Sequence, residues 1–420
     1  MTEARHRLVV LIQWLGLGAV VGVLCGTASA LFLYLLDLAT AYREHHVWMV
    51  FLLPPAGLGI GWLYQRVGDP IKGGNNLVID TIHDNGPRLP LRMAPMVLVG
   101  TVLTHLFGGS AGREGTAVQM GASLADAVAH RLHLGPQLRR HVLAAGVAGG
   151  FGSVFGTPIA GVVFGLEFVV LGHLAYEALV PALIAAVVGD MTTRAWGVTH
   201  AAYTPASHLA LTPWLFCKWA VFALAIAITT GAFIELTHYL KRRADAWLPS
   251  LPLRMACGGA LVVGLWQLLG TTDYLGLGVP VIVRSFHDDS LPSYAFALKL
   301  LFTAVTLGAG FLGGEVTPLF FVGAALGNAL AGPLGLPLEL AAAVGMAAVF
   351  ASASNAPLAL SVMAIELVGA NVFPHAAIVC VLAYLLTGHR SIYPSQRVFA
   401  GKTGIKLPHA KAIKDWFSSQ

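Results

Sequence analysis

From Leu8 to Leu38 the chain runs through a largely apolar stretch, and further apolar stretches recur along all 420 residues. Length alone would suggest two or three soluble domains. Charge excludes that: 25 Lys+Arg and 20 Asp+Glu make up 11% of the chain, against about 25% in an average soluble protein. Hydrophobic residues reach 56% and mean hydropathy is +0.74, so a soluble fold could not cover its own surface. Most of that surface must face lipid or other helices. The chain reads as an all-α, multi-spanning integral membrane protein. A porin-like barrel would need alternating rather than continuous apolar segments. The 48 glycines and 22 prolines suit closely packed helices, interrupted where neighbours satisfy the freed backbone groups.

The apolar segments are uneven. Val9 to Leu38, Leu211 to Leu236 and Ala295 to Leu312 are long enough to span. Met120 to Val128, Val142 to Phe155, Ile159 to Leu171, Ala341 to Phe350 and Leu358 to Val368 fall short of the ~20 helical residues a bilayer core requires. Short segments broken by Gly and Pro read as half-helices meeting inside the membrane, where helix ends bind ions.

The chain also repeats itself. Gly74 to Asp84 pairs with Gly278 to Asp288, Glu114-Gly-Thr116 with Glu315-Val-Thr317, and Gly146 through Pro158 to Glu167 with Gly345 through Pro357 to Glu366. All three pairs lie about two hundred residues apart and in one order, which argues for two membrane repeats at 8–200 and 208–396 and a short basic tail at 397–420. Arg5 and Arg7 precede the first apolar run, and Arg397, Lys402, Lys406, Lys411 and Lys414 crowd the tail. The positive-inside rule then puts both termini in the cytoplasm. The pI of about 9.1 needs no nucleic-acid partner to explain it. The first run is too long for a cleaved signal peptide and shows no cleavage site. Cys25, Cys217, Cys257 and Cys380 stand singly, so buried reduced thiols are expected, with no metal site and no cofactor.

Four polar clusters interrupt the apolar pattern. Gly108 to Thr116 is a glycine-rich turn opening a helix, whose free N–H groups and dipole attract anions. Glu114 at that start is either a functional carboxylate at membrane depth or an acidic cap paired with Arg113. Lys72 to Leu77 offers the uncharged amide of Asn75, a donor for an anion that sheds water and equally an ordinary helix N-cap. In Gly313 to Phe321, Thr317 supplies a hydroxyl and Pro318 opens a helix. Phe320 and Phe321 are either core residues or ring edges turned to an anion. In Ser391 to Ser395, Tyr393 is either an interfacial anchor or a phenol donor reaching the site.

Together these clusters resemble the CLC superfamily of chloride channels and anion/proton exchangers, over nearly the whole membrane region from Gly73 to Tyr393. Arg113-Glu114-Gly115 is similar to the signature carrying the family's gating glutamate. Gly156-Thr-Pro158 and Asn355-Ala-Pro357 resemble its internal helix starts, and Tyr393 falls at the anion-coordinating tyrosine. The resemblance implies inverted halves, half-helix starts meeting at a central anion site, and a homodimer with one pathway per subunit. Three departures from the commoner pattern, at Asn75 (serine in most members), at Thr116 (proline) and across Gly314 to Pro318, resemble the fluoride/proton antiporter subclass. The position of the exchangers' inner proton-transfer glutamate falls at Phe168, next to Glu167, which leaves Glu315 as the candidate inner proton carrier. The expected activity is fluoride export from the bacterial cytoplasm across the inner membrane in exchange for protons. Glu114 is assigned the gate, with Asn75, Gly115, Thr317, Phe320, Phe321 and Tyr393 around the anion.

Fluoride is small and strongly hydrated, so its site must offer several short hydrogen bonds to offset dehydration. Backbone N–H groups, an amide, a hydroxyl and a phenol are a suitable inventory. Glu167 and Glu366, at equivalent places in the repeat, read as structural, by pairing or capping. A chloride exchanger or channel of the same family is the nearest alternative. An integral-membrane hydrolase is a remote one, because no GxSxG or HExxH motif accompanies Ser153, Ser352 and Ser354.

Overall fold

Proline and left-handed caps cut the apolar sequence into helices at defined points. The structure, a computed structural model, describes residues 3–84, 86–402, 404 and 406–416. Its first half comprises α1 (Glu3–His45), α2 (Leu53–Val67), α3 (Asn75–Asp84), α4 (Met93–Leu106), α5 (Glu114–Arg131), α6 (Pro136–Phe155), α7 (Pro158–Glu167) and α8 (Leu179–Ala195). The second comprises α9 (Pro213–Trp247), α10 (Leu251–Leu269), α11 (Val279–Arg284), α12 (Ala295–Gly308), α13 (Val316–Leu334), α14 (Leu338–Ser354), α15 (Pro357–Val368) and α16 (Phe373–Leu386). Proline opens α6, α7, α9 and α15, where its missing N–H costs no helix bond. Gly156 (φ 72°) ends α6 and Asn355 (φ 56°) ends α14 in the left-handed region, at equivalent places in the two halves.

The segment lengths differ from the sequence expectation in two ways. The helix expected over Ala295 to Leu312 stops at Gly308 after 14 residues, too short to span. Conversely, Met120 to Val128 and Val142 to Phe155 lie within helices of 18 and 20 residues. Those helices run on because their polar residues find partners inside the protein. Asp126, wholly buried, accepts from Leu89 N (2.7 Å) and pairs with Arg139 at 2.6 Å. Among the described residues, six helices are long and apolar enough to cross a membrane: Leu8–His45, Val47–Val67, Tyr176–Ala195, Pro213–Trp247, Leu251–Leu269 and Val316–Leu334. The last has 78% of its most apolar window buried, so it is a central element, while Ile12, Ile228 and Leu268 on other helices stay exposed as lipid-facing residues do.

Two glycine crossings build the core. A Cβ on Gly121 of α5 would collide with the carbonyl of Gly146 on α6, and one on Gly323 of α13 would collide with that of Gly345 on α14. The crossings are at equivalent positions in the two halves, and each brings two helix backbones into contact. Cys25 and Cys380 are buried as expected, whereas Cys217 and Cys257 are exposed on the long helices α9 and α10, where an apolar thiol can face lipid.

The tail is structured. β1 (Val170–Leu171) pairs in parallel with β2 (Arg397–Ala400), which pairs antiparallel with β3 (Lys406–Ala412). Leu171, Val398 and Ile413 form a small apolar cluster beneath this sheet, before a last helical turn at Ile413–Trp416. Short strands add a clip to an otherwise helical fold. The side chains of Arg7 and Lys406, and residues 417–420 of the tail, lie outside the described set.

Candidate functional site

The two glycine-rich turns meet at the centre of the molecule. Gly112 N donates to Gly314 O (2.6 Å) and Gly314 N to Gly112 O (2.8 Å), a backbone bridge between the two halves. A Cβ on Gly314 would stand 2.8 Å from Gly115 N, and one on Gly115 would stand 2.9 Å from Asn75 Nδ2. Glycine at these positions therefore lets the starts of α3, α5 and α13 converge.

Glu114, the first residue of α5, crosses this junction. It is fully buried, and its carboxylate lies over the start of α13. Oε2 accepts from Thr317 N (3.1 Å) and from Arg113 N (3.1 Å). Oε1 accepts from the Thr317 hydroxyl and lies 3.5 Å from Arg113 Nε. The carboxylate oxygens thus occupy a cradle of N–H and O–H donors at a helix start, an arrangement whose chemistry suits a small anion.

A cavity of about 550 Å³ approaches this point from the side of the tail, lined by Asn75, Thr101, Thr116, Gln119, Glu315 and Tyr393 among others. A second of about 550 Å³ shares Asn76, Lys241, Asp245, Leu307, Glu315 and Ile392 with it, so the two form one vestibule. Arg113 lines a third cavity of about 340 Å³, together with Arg43, His200 and Asp273. Buried Glu114 stands between the vestibule residue Thr116 and the third-cavity residue Arg113.

Tyr393 is held firmly. Its N–H donates to Ser391 Oγ (2.9 Å), and Ser395 next door donates to Asn76 Oδ1 (3.0 Å) and Asp80 Oδ2 (3.0 Å) on α3. Its ring meets Phe168 edge-on, with centroids 5.1 Å apart at 84°. Arg397, at the start of β2, pairs with Asp80 and Asp84 of the same helix.

The structure therefore brings together Asn75, Glu114, Gly115, Glu315, Thr317 and Tyr393, and it places Phe320 and Phe321 differently. Phe320 packs against Phe155 and Phe350, at 5.3 and 5.9 Å between centroids. Phe321 lies against Tyr274 with the ammonium of Lys299 over its ring. Neither lines the vestibule. Sequence reasoning did not single out Gln119 or the hydroxyl pair Thr101–Thr116 (2.7 Å) as lining the approach. Helical spacing could have suggested Gln119, which lies one turn beyond Gly115 on α5.

Glu167 and Glu366 cap each other's helices. Glu167, ending α7, accepts from Leu358 N (3.2 Å) and Ala359 N (2.9 Å) at the start of α15. Glu366, late in α15, accepts from Ile159 N (3.0 Å) and Ala160 N (2.7 Å) at the start of α7. Both internal starts are thereby filled by the protein's own carboxylates.

Comparison with known proteins fits this geometry. Residues 56–388 match the model of a family described as voltage gated chloride channel. The chain belongs to that family. A "Chloride/fluoride channel protein" of Pseudomonas syringae pv. tomato is 46% identical over 409 residues, covering 96% of this chain and 90% of the relative. A crystal structure of a CLC-type fluoride/proton antiporter superimposes with a TM-score of 0.90 at 38% identity, covering 92% of this chain and 98% of that one. A slow cyanobacterial chloride/proton antiporter, 19% identical with a TM-score of 0.79, shares the fold over 89% of this chain and 94% of its own. As a member of this family the chain is a multi-pass membrane transporter rather than a hydrolase. Ser153, Ser352 and Ser354 all donate their hydroxyls to carbonyls of their own helices.

Proposed function

We propose that the protein is a fluoride/proton antiporter, with Glu114 as the gate shared by both ions. The observation that carries this reading is the Glu114 carboxylate seated on the N–H and O–H of Thr317. An ionised carboxylate and a small hard anion compete for the same donors. Protonation removes the competitor, since a neutral acid has much less to gain from the helix start. Fluoride entering from the vestibule then takes the Thr317 donors, with the Asn75 amide and the Tyr393 phenol completing its shell. Deprotonation of Glu114 displaces fluoride toward the third cavity. One proton moves in as fluoride moves out.

Glu315 is the inner proton carrier in this scheme. It lines both parts of the vestibule. The position of the exchangers' inner glutamate is occupied by Phe168, fully buried against Phe164 (5.0 Å) and Tyr393. Stacking of Phe164 on Phe151 at 4.3 Å extends that apolar wall, which favours a proton route through the vestibule.

Vestibule and tail face the cytoplasm. Arg140, Lys241, Arg242, Arg390 and Lys414 lie on that side, an excess of basic residues consistent with cytoplasmic termini in a bacterial inner membrane. The halves act as inverted repeats, 8–200 and 208–396. Two copies associate through the apolar residues that α8 and α16 leave exposed, among them Leu183, Phe373 and Leu385. Hydrogen fluoride crosses membranes as a neutral acid and dissociates inside; proton-coupled export lowers the internal level further than a passive channel could.

Efflux of fluoride and of chloride from liposomes holding the purified protein tests the reading. Fluoride should leave much faster. Chloride leaving as fast or faster would return the chain to the chloride exchangers of its family.

A further inference from the structure

Lys299 is fully buried in α12, and no carboxylate pairs with it among the described residues. Its ammonium nevertheless uses all three hydrogens. Two donate to the carbonyls of Tyr274 (3.1 Å) and Gly276 (2.6 Å), and the third faces the ring of Phe321, whose centroid is 5.4 Å away. Two carbonyl oxygens and a ring face are acceptors suited to an ammonium group. A second cation lies close by. Arg43 of α1, also buried, donates to His105 O (3.0 Å), and a Cβ on Gly276 would stand 2.5 Å from its Nη1. An isolated buried charge is strongly unfavourable for folding, and an apolar residue would fill the same space without that penalty. Charge at this place therefore calls for an explanation outside stability.

Two short paths lead from Lys299 to the gate. Lys299, Thr303 and Thr306 share one face of α12. Thr303 bonds the hydroxyl of Ser110 (3.0 Å) and Thr306 accepts from Ser110 N (3.1 Å), fastening the glycine-rich turn that carries Glu114. The other path runs through α13. Phe321 stands one helical turn beyond Thr317, about 6 Å along the axis, so the ammonium over its ring is on the order of 10 Å from the Glu114 carboxylate.

We propose that Lys299 is a positioning residue for transport, whose fixed charge favours an anion over a neutral acid in the outer half of the pathway. The anion is the Glu114 carboxylate in one state and the transported halide in the other. Other ionisable groups face the same region. Arg113, Tyr203, Glu315 and Tyr393 surround Glu114. Arg43, His105 and Tyr274 adjoin Lys299, with Asp273 beside Tyr274. Within each set the Lys299 variants leave every other member unchanged.

This inference rests on Glu114 being the gate, as proposed above. Its test is the pH dependence of halide efflux from liposomes for wild type, Lys299→Met, Lys299→Gln and Lys299→Arg. A unit charge ~10 Å away at an effective dielectric near 20 moves a titration by about one pH unit. Efflux by the Met and Gln variants should show its midpoint about one unit higher, with about tenfold more halide needed for half-maximal rate. The Arg variant should keep the wild-type midpoint even if its shape slows turnover. An unchanged midpoint in either folded neutral variant would overturn the proposal, and so would an Arg variant shifted as far as Met. Failure of both neutral variants to fold would overturn it too, by making the ammonium a scaffold group. The shift is read on whichever halide the wild type carries, so a chloride-selective protein would defeat the fluoride reading and leave this test standing.

Discussion

Glu114 and Thr317, 203 residues apart in the chain, are joined by two hydrogen bonds, one from the threonine backbone and one from its hydroxyl. The two residues come from the first and second halves of the chain, so the gate proposed at Glu114 would close where those halves meet. Thr317→Val keeps the backbone donor and removes the hydroxyl. With ~1.5–3 kcal/mol for a hydrogen bond to a charged group, the variant should bind fluoride roughly tenfold or more weakly, read as the fluoride concentration for half-maximal efflux. Unchanged affinity would mean the hydroxyl serves only the carboxylate.

The proposed function assigns selectivity to Asn75. Its Nδ2 lies against the position a side chain on Gly115 would fill, beside the gate, and it lines the vestibule. An amide reaches further than the serine of the related chloride proteins and offers two N–H donors, which crowd a larger anion. Unpaired donors cost about 1–3 kcal/mol each, so Asn75→Ser should narrow the fluoride-to-chloride flux ratio by roughly tenfold or more. Folding should change little, because serine also caps helices. A ratio equal to wild type would make Asn75 a helix cap and shift selectivity to Thr317 and Glu315.

The crossed caps predict a different phenotype. Glu167→Gln and Glu366→Gln leave a weaker acceptor at the starts of α15 and α7. Each should lower stability by about 1 kcal/mol, the usual scale for losing an N-terminal cap, seen as a lower thermal midpoint in detergent. Selectivity and coupling should stay as in wild type. A change in the proton-to-fluoride ratio would give one of these carboxylates a transport role.

Much of this was legible in the sequence because the chemistry is concentrated at glycine turns. Charge scarcity pointed to the membrane, and the displaced Glu-Gly-Thr and Glu-Val-Thr pairs marked two turns that prove to be hydrogen-bonded to each other at Gly112 and Gly314. Helix lengths were less legible. Asp126 sits inside the short apolar run Met120 to Val128, and α5 holds it there because Arg139 and the Leu89 backbone satisfy it from elsewhere in the chain. Such partners are invisible to local periodicity. The direction of Phe320 and Phe321 was equally hidden, since a Phe pair reads the same whether its rings meet an anion or other rings. Lys299 lay in an apolar segment, and nothing local marked it as buried.

Growth should report the physiological direction. A bacterial strain lacking this gene, and any second fluoride exporter, should grow more poorly than its parent at graded fluoride and equally well at graded chloride. Equal growth in fluoride would contradict an export role.

Coupling is the central claim, and proton movement under an anion gradient measures it most directly. Liposomes loaded with fluoride and holding wild-type protein should take up protons as fluoride leaves, against an opposing proton gradient if the fluoride gradient is steep enough. Glu114→Gln cannot exchange a proton at the gate, so it should pass fluoride without moving protons. Proton uptake at the wild-type rate in Glu114→Gln would contradict the account, as would fluoride leaving wild-type liposomes with no proton movement at all.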